Sequence, residues 1–264
     1  MNALKVQNLS LKYSGGRMIV DQLSQTFEEG KVYSIIGPNG CGKSTLLKAL
    51  ARQLKPVWGD LWLKGKAMNR MSPKEVAQYL SYLAQSQEPV DLKVRSLVRY
   101  GRTPHHSIMK QALPEDEKII EWALQATSLE RLADRNVTSL SGGERQRAWI
   151  AMSLAQQPKF MLLDEPTTYL DVSHQMEVLE LSRNLNKQYG MTIIMVLHDM
   201  NHACQFSDEV IVMKEGKIYA QGRPESVMTT DLMKEVFGVK AVINKDEETG
   251  NPVCWVKGRY KPLK

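Results

Sequence analysis

Cysteine is scarce in this 264-residue chain: Cys41, Cys204 and Cys254 are all there are. The number is odd and no two stand as CxxC, so they read as reduced thiols rather than a disulfide framework. Long apolar runs are missing too, and none approaches the roughly 20 residues that span a bilayer. The opening residues, Met1-Asn2-Ala3-Leu4-Lys5, lack an apolar signal segment, so export is not expected. No internal repeat, low-complexity stretch or long linker interrupts the chain. Charge is slightly one-sided, 35 Lys+Arg against 29 Asp+Glu for a net +6, but the basic residues are scattered. Such a balance does not choose between nucleic acid, an anionic membrane surface and neither. With 42% hydrophobic and 24% charged residues, the composition is that of a folded globular protein, one large domain or a domain with subdomains.

What is present centres on Gly37-Pro38-Asn39-Gly40-Cys41-Gly42-Lys43-Ser44-Thr45. An apolar β-like run, Val32 to Ile36, leads into it and a helix-like run, Leu46 to Leu54, leaves it. Strand, glycine-rich turn and helix in that order fit the phosphate-loop spacing G-x-x-x-x-G-K-[ST]. Glycines let successive N–H groups curl inward around phosphate oxygens, with the positive end of a helix behind them. Lys43 is then expected against the terminal phosphates, and the Ser44 hydroxyl on a Mg²⁺ ion. A turn that binds nothing has no use for Lys-Ser after a buried strand. The chain is expected to bind a nucleoside triphosphate.

The remaining pattern surrounds this loop. Residues 4–13 alternate apolar and polar, and Met18–Val20 and Leu23–Phe27 read as further short strands of an antiparallel layer. Tyr13 closes the first strand, either as core packing or as a platform for an adenine ring. Trp58 to Gly65 reads as turn, strand and turn. Ser72-Pro73-Lys74-Glu75 opens a helix and Tyr79–Ala84 is a strand. Gln85, at that strand's end, is placed to reach a metal or its water, with Gln87 as its competitor. Val94–Tyr100 and Asp116–Thr127 have helical spacing around a polar break at Gly101–Lys110. His105 and His106 in that break have no carboxylate or thiol spaced nearby, so a metal site is not expected.

Leu140-Ser141-Gly142-Gly143-Glu144 opens a helix running through Ala155, with Ser141 as cap and accessible N–H groups behind it. It is a second helix start suited to anions. The strand Phe160–Leu163 ends on Asp164-Glu165-Pro166. Adjacent carboxylates there are not needed for packing; Asp164 suits the Mg²⁺ shell and Glu165 suits orienting an attacking water. Val172–Gln188 is helical, and the strand Thr192–Leu197 ends on His198, a candidate phosphate contact. A hairpin about Lys214–Lys217, two short helices and two strand-like patches around Lys245–Gly250 complete the chain.

The phosphate loop, Leu140–Glu144, Asp164-Glu165, Leu170-Asp171 and His198 together resemble the nucleotide-binding subunit of ATP-binding-cassette (ABC) transporters, over about residues 4–240. Within that superfamily the chain is similar to ATPases of type II importers for iron–siderophores, haem and cobalamin. The residues concerned are Gly101 to His105, Gly143 to Met152, Asp171 to Gln175 and His198 to Cys204. Trp149 and Ser173-His174-Gln175 favour the ferric-siderophore branch.

The resemblance implies an α/β P-loop NTPase: a RecA-like mixed-sheet core, an N-terminal antiparallel β layer and an inserted α-helical subdomain. Its expected bounds are an ATPase domain over 1–240, the helical subdomain at about 88–157, and a β-like extension over 241–264. It implies a head-to-tail homodimer holding two ATP and Mg²⁺, each ATP on one copy's Gly37–Thr45 and facing Ser141, Gly142, Gly143 and Glu144 of the other. Tyr13 would stack on adenine, Gln85 and Asp164 would sense the metal, Asp171 would cross the interface, and Glu165, Lys43 and His198 would serve catalysis. Glu144 stands where Gln is commoner in the family. Other implied partners are integral-membrane permease subunits at the cytoplasmic face and, indirectly, an extracytoplasmic substrate-binding protein. The rival is a soluble ABC ATPase acting on nucleic acid or ribosomes. It is disfavoured because the chain carries neither two cassettes nor a long coiled-coil insertion. Cys41, beside a helix start, is expected to be a reactive thiol that ATP shields.

Overall fold

The computed structural model describes residues 3–13, 15–88, 90–106 and 114–260. Along the chain the strands are β1 (Ala3–Leu11), β2 (Val20–Glu28), β3 (Val32–Ile36), β4 (Trp58–Leu63), β5 (Lys66–Ala67), β6 (Leu80–Leu83), β7 (Phe160–Asp164), β8 (Thr192–Val196), β9 (Glu209–Lys214), β10 (Lys217–Gly222), β11 (Val239–Lys245) and β12 (Pro252–Arg259). The α-helices are α1 (Lys43–Leu50), α2 (Pro73–Ala77), α3 (Val94–Tyr100), α4 (Pro114–Ala126), α5 (Gly142–Ala155), α6 (Val172–Tyr189), α7 (Met200–Phe206), α8 (Pro224–Val227) and α9 (Thr230–Glu235). The chain divides into two compact units, Met1–Ala67 with Ile194–Lys264, and Met68–Ile193.

The first unit holds an antiparallel sheet in the order β2-β1-β4-β5 and a mixed sheet in which β10, β9, β3 and β8 follow one another. Each of the five residues of β3 is buried, as a parallel central strand requires, and Tyr33 to Ile36 pair in register with Glu209 to Val212. Where two short strands were expected at 18–27, one strand β2 runs from Val20 to Glu28. Its pairing with β1 slips between Val6 and Leu11, with Asn8 and Gln22 at positive φ. That irregularity breaks the two-residue alternation and so hid the continuity. Trp58-Gly59 is likewise the start of β4 rather than a turn. β11 and β12 form an antiparallel hairpin, tied to α7 by Asn201, whose Oδ1 accepts the Cys254 N–H at 2.8 Å.

In the second unit β6 and β7 run parallel, Leu80 to Leu83 beside Phe160 to Leu163. The helices α3, α4 and α5 carry their apolar faces inward through Val94, Leu97, Val98, Ile120, Leu124, Ile150 and Leu154, each at most 2% exposed. Ser72 caps α2 with Pro73 following, as the sequence foretold, and Glu75 completes a capping box. The part of the polar break at 107–110 lies outside the described residues. His105 Nε2 meets the Gln156 carbonyl at 2.8 Å, and His106 Nε2 lies 3.1 Å from Asp116 Oδ2. A carboxylate therefore does stand beside His106, contrary to the sequence reading. It comes from α4, where linear spacing could not reveal it, and it also pairs with Arg102 at 2.8 Å.

Candidate active site

Gly37 leaves the end of β3 with φ 151°, and a Cβ there would sit 2.2 Å from the Met213 carbonyl oxygen. Strand β9 thus leaves space for no residue but glycine at the mouth of the loop. Beyond it the loop is braced by Cys41 N–H on Pro38 O at 3.3 Å and by Gly216 N–H on Cys41 O at 3.1 Å. Gly42, at the N-cap of α1, lies against Ile19 and Val20, which end the segment that carries Tyr13. Lys43 is 5% exposed, and its ammonium donates to the carbonyls of Gly37 and Pro38 at 2.8 and 3.1 Å. Among the described residues, no backbone carbonyl accepts from the N–H of Gly40 or Gly42. A glycine-rich loop with a buried ammonium at the start of a helix suits an anionic oligophosphate. Ser44 and Thr45 open α1 directly behind it.

Two expectations for this unit change. Tyr13 does not close β1 but lies two residues past Leu11, and it is 43% exposed, so it is not core. Cys41 is buried, and burial pushes its thiol pKa up, outweighing the lowering by Lys43 and the loop amides. It is not the activated thiol that a helix start suggested. His198 follows β8 by two residues and is exposed; Leu197 N–H donates to Ile35 O at 3.2 Å, which sets His198 at the sheet end where the phosphate loop begins. Asp199 then caps α7 through the N–H groups of Asn201 and His202.

In the second unit β7 delivers Asp164, 3% exposed, where Tyr82 Oη donates to its Oδ2 at 3.1 Å. The next residue, Glu165, sits in left-handed backbone, φ 51°. An extended continuation would send its side chain elsewhere; this kink, held by Thr168 N–H on Glu165 O at 3.2 Å, turns it toward Gln85. Gln85 Nε2 donates to Glu165 Oε2 at 2.5 Å and Thr168 Oγ1 to the same oxygen at 3.2 Å. Gln87 instead donates to the Ala84 carbonyl, so of the two glutamines it is Gln85 that meets the carboxylate. Tyr82 and Thr168 were missed in the sequence. Tyr82 was read only as a strand residue, and Thr168 stands three residues after Glu165 in a turn with no distinctive pattern.

Ser141 caps α5 in a second capping box, with Glu144 accepting the Ser141 N–H at 2.8 Å. That bond holds the Glu144 carboxyl below its usual pKa. Asp171 caps α6. The His174 backbone N–H, and then its ring, likewise keep the Asp171 carboxyl below the ordinary range. Gly142 and Gly143 form the first turn of α5 beside α6.

A family model described as ABC transporter matches residues 20–168. The chain is 47% identical to the iron(3+)-hydroxamate import ATP-binding protein FhuC of Bacillus subtilis, over 96% of this chain and 94% of that protein. It is 44% identical to the ferric enterobactin transport ATP-binding protein FepC of Escherichia coli, over 98% and 96% respectively. The dimeric structure of a post-hydrolysis state of the ATP-binding cassette MJ0796, bound to ADP and Pi, superposes with a TM-score of 0.72 at 27% identity, covering 83% of this chain and 98% of that one. Motifs, fold and relatives agree: the chain belongs to the ABC transporter family.

Proposed function

We propose that this protein is the ATP-hydrolysing subunit of an importer that takes up an iron–siderophore-type complex through a membrane permease. The observation that carries the substrate class is the near-full-length identity with importer subunits whose names specify ferric hydroxamate and ferric enterobactin. Haem or cobalamin is the alternative within the same branch. Among the described residues no helix is long and apolar enough to cross a membrane, so the permease would be a separate partner.

In this reading Gly37–Thr45 cradles the triphosphate, Lys43 takes the terminal phosphates, and Tyr13 stacks on adenine. Ser44, Asp164 and Gln85 would hold Mg²⁺. Their oxygens are the hard donors that ion prefers, and Gln85, donating through Nε2 to Glu165, has its carbonyl oxygen for an ion. When bound, the ion neutralises charge developing on the phosphate oxygens. Glu165, aimed by Gln85 and Thr168, orients the water and accepts its proton, and His198 contacts the γ-phosphate. Ser141–Glu144 and Asp171 of a second copy complete the cage, so that two copies close head to tail on two ATP. The helical segment at about 88–157 accepts a permease loop, and 241–264 is an extension packed on the ATPase domain.

Growth of a strain lacking this gene on single iron sources tests the substrate class. Loss of growth on one ferric siderophore, restored by the wild-type gene but not by Lys43→Ala, supports the reading. Normal siderophore use with failure on haem or cobalamin moves it to the alternative. Purification with DNA or ribosomes, rather than with a many-helix membrane protein, overturns it.

A further inference from the structure

Two helices that begin on functional residues lie side by side within the second unit. At their first turns there is no spare room: a Cβ added to Gly143 would stand 2.1 Å from Cδ2 and 2.6 Å from Cγ of the His174 ring. A Cβ at Gly142 would make only ordinary contact with Leu170 Cδ2, at 3.4 Å, so the crowding is at Gly143. One turn further along, the Arg147 guanidinium donates to the Glu177 carboxylate. Residues 143 and 147, like 174 and 177, are a helical turn apart, so these contacts form one continuous seam.

His174 touches both helix starts at once. Its ring covers Gly143, while its Nδ1 and its backbone N–H meet Asp171 Oδ1 at 2.8 and 2.9 Å. Capping α6 needs only the backbone part of this, which any residue at 174 would supply. A side chain whose nitrogen holds the cap carboxylate and whose carbon edge fills the space of an excluded methyl does more than cap. With Nδ1 taken by Asp171, and no cluster of three His, Cys, Asp or Glu among the described residues, a metal-ligand role is not supported.

We propose that His174 is a positioning residue that fixes Ser141–Glu144 and Asp171 as one body, so that both reach the nucleotide of a second copy together. The proposal rests on the two-copy reading above. The trans half of the site then arrives as a single preformed piece, and its geometry does not depend on two independently moving loops. Preorganisation of this kind acts on closure and chemistry rather than on the copy's own nucleotide binding.

The test uses full-length His174→Ala, His174→Phe and His174→Asn, each alone and combined with Glu165→Gln. Three quantities are read: affinity of the separate copy for a fluorescent ATP analogue, steady-state kcat and KM, and ATP-dependent dimer formation by sedimentation. His174→Ala is expected to keep analogue affinity and KM, to lose kcat on the order of tenfold, and to need more ATP for dimerisation in the Glu165→Gln background. His174→Asn retains a nitrogen for Asp171 and His174→Phe retains a ring for Gly143, so each should recover part of the loss. Wild-type kcat and dimerisation in His174→Ala overturn the proposal. So does a fall in kcat that merely tracks the folded fraction in all three variants. If the Glu165→Gln parent itself forms no ATP-dependent dimer, the two-copy reading falls and takes this proposal with it, whatever the His174 variants do.

Discussion

Gln85 Nε2 holds Glu165 Oε2 at 2.5 Å, across eighty residues of sequence. The left-handed backbone at Glu165 is what makes the meeting possible, and the bond, with that from Thr168 Oγ1, orients the carboxylate. Glu165→Gln should bind ATP normally and hydrolyse it about 10²–10⁴-fold more slowly, the usual worth of a positioned general base. Gln85→Ala should lower kcat, whereas Gln87→Ala should leave it near wild type, because Gln87 is spent on the Ala84 carbonyl. Single-turnover hydrolysis separates the three; equal effects at 85 and 87 would contradict the assignment.

Lys43→Ala removes an ammonium that binds two carbonyls of its own loop as well as the proposed phosphate. An ATPase loss of roughly 10²–10³-fold, about 3–4 kcal/mol on the barrier, is expected from electrostatic stabilisation of this type. Unchanged turnover would refute the phosphate-loop role.

The Arg102–Asp116 pair is buried, the side chains 7% and 4% exposed, and Arg102 also donates to the Ala155 carbonyl and to Gln157. Arg102→Ala takes the guanidinium from the buried Asp116 carboxylate, which keeps His106 at 3.1 Å, and should destabilise the chain by about 1–3 kcal/mol. Replacing both partners with apolar residues should cost less than either single change. Urea midpoints of the singles and the double decide this.

Cys41 is predicted to alkylate slowly at neutral pH. Burial raises its thiol pKa above the ordinary value, so the reactive thiolate is a minor form there, and the rate should climb as pH rises. Fast labelling at pH 7 would show that the loop opens far enough to expose it. Labelling blocked by ATP would still place the thiol in the nucleotide loop.

Glu144 has its pKa lowered on folding by the Ser141 N–H it accepts. The sign follows directly: its charged form stabilises the fold above the ordinary glutamate range, and that contribution is lost as pH falls through the lowered value. Glu144→Gln keeps an oxygen for the same N–H, so stability at neutral pH should change by no more than about 1 kcal/mol. What should vanish is this residue's share of the acid sensitivity, readable as Tm against pH.

Much of the architecture is legible where the signal is local. The buried runs of β3, β7 and β8, the caps Ser72 and Ser141, and the phosphate-loop spacing each announce themselves within ten residues. What stays hidden depends on distant chain meeting distant chain. The Asp116 partner of His106 comes from another helix, and the slipped register of β1 and β2 masks one strand as two. The ring of His174 under Gly143 is invisible because nothing in Ser173-His174-Gln175 tells which side of the helix is crowded. Cys41 was misjudged for the same reason: a helix start is visible in sequence, but the burial that overrides it is not.

The division of the chain into a continuous unit, Met68–Ile193, and a split one, Met1–Ala67 with Ile194–Lys264, bears on how the molecule is made. Strand β3 cannot acquire its β9 partner until residues 209–212 have been synthesised, some 175 residues after β3 itself. The middle segment suffers no such delay and should become protease-resistant on the ribosome first. Until then β3, with the phosphate loop that follows it, must wait without that neighbour while β1, β2, β4 and β5 can pair among themselves, which makes nascent-chain aggregation through β3 the foreseeable failure of any variant that slows the final third.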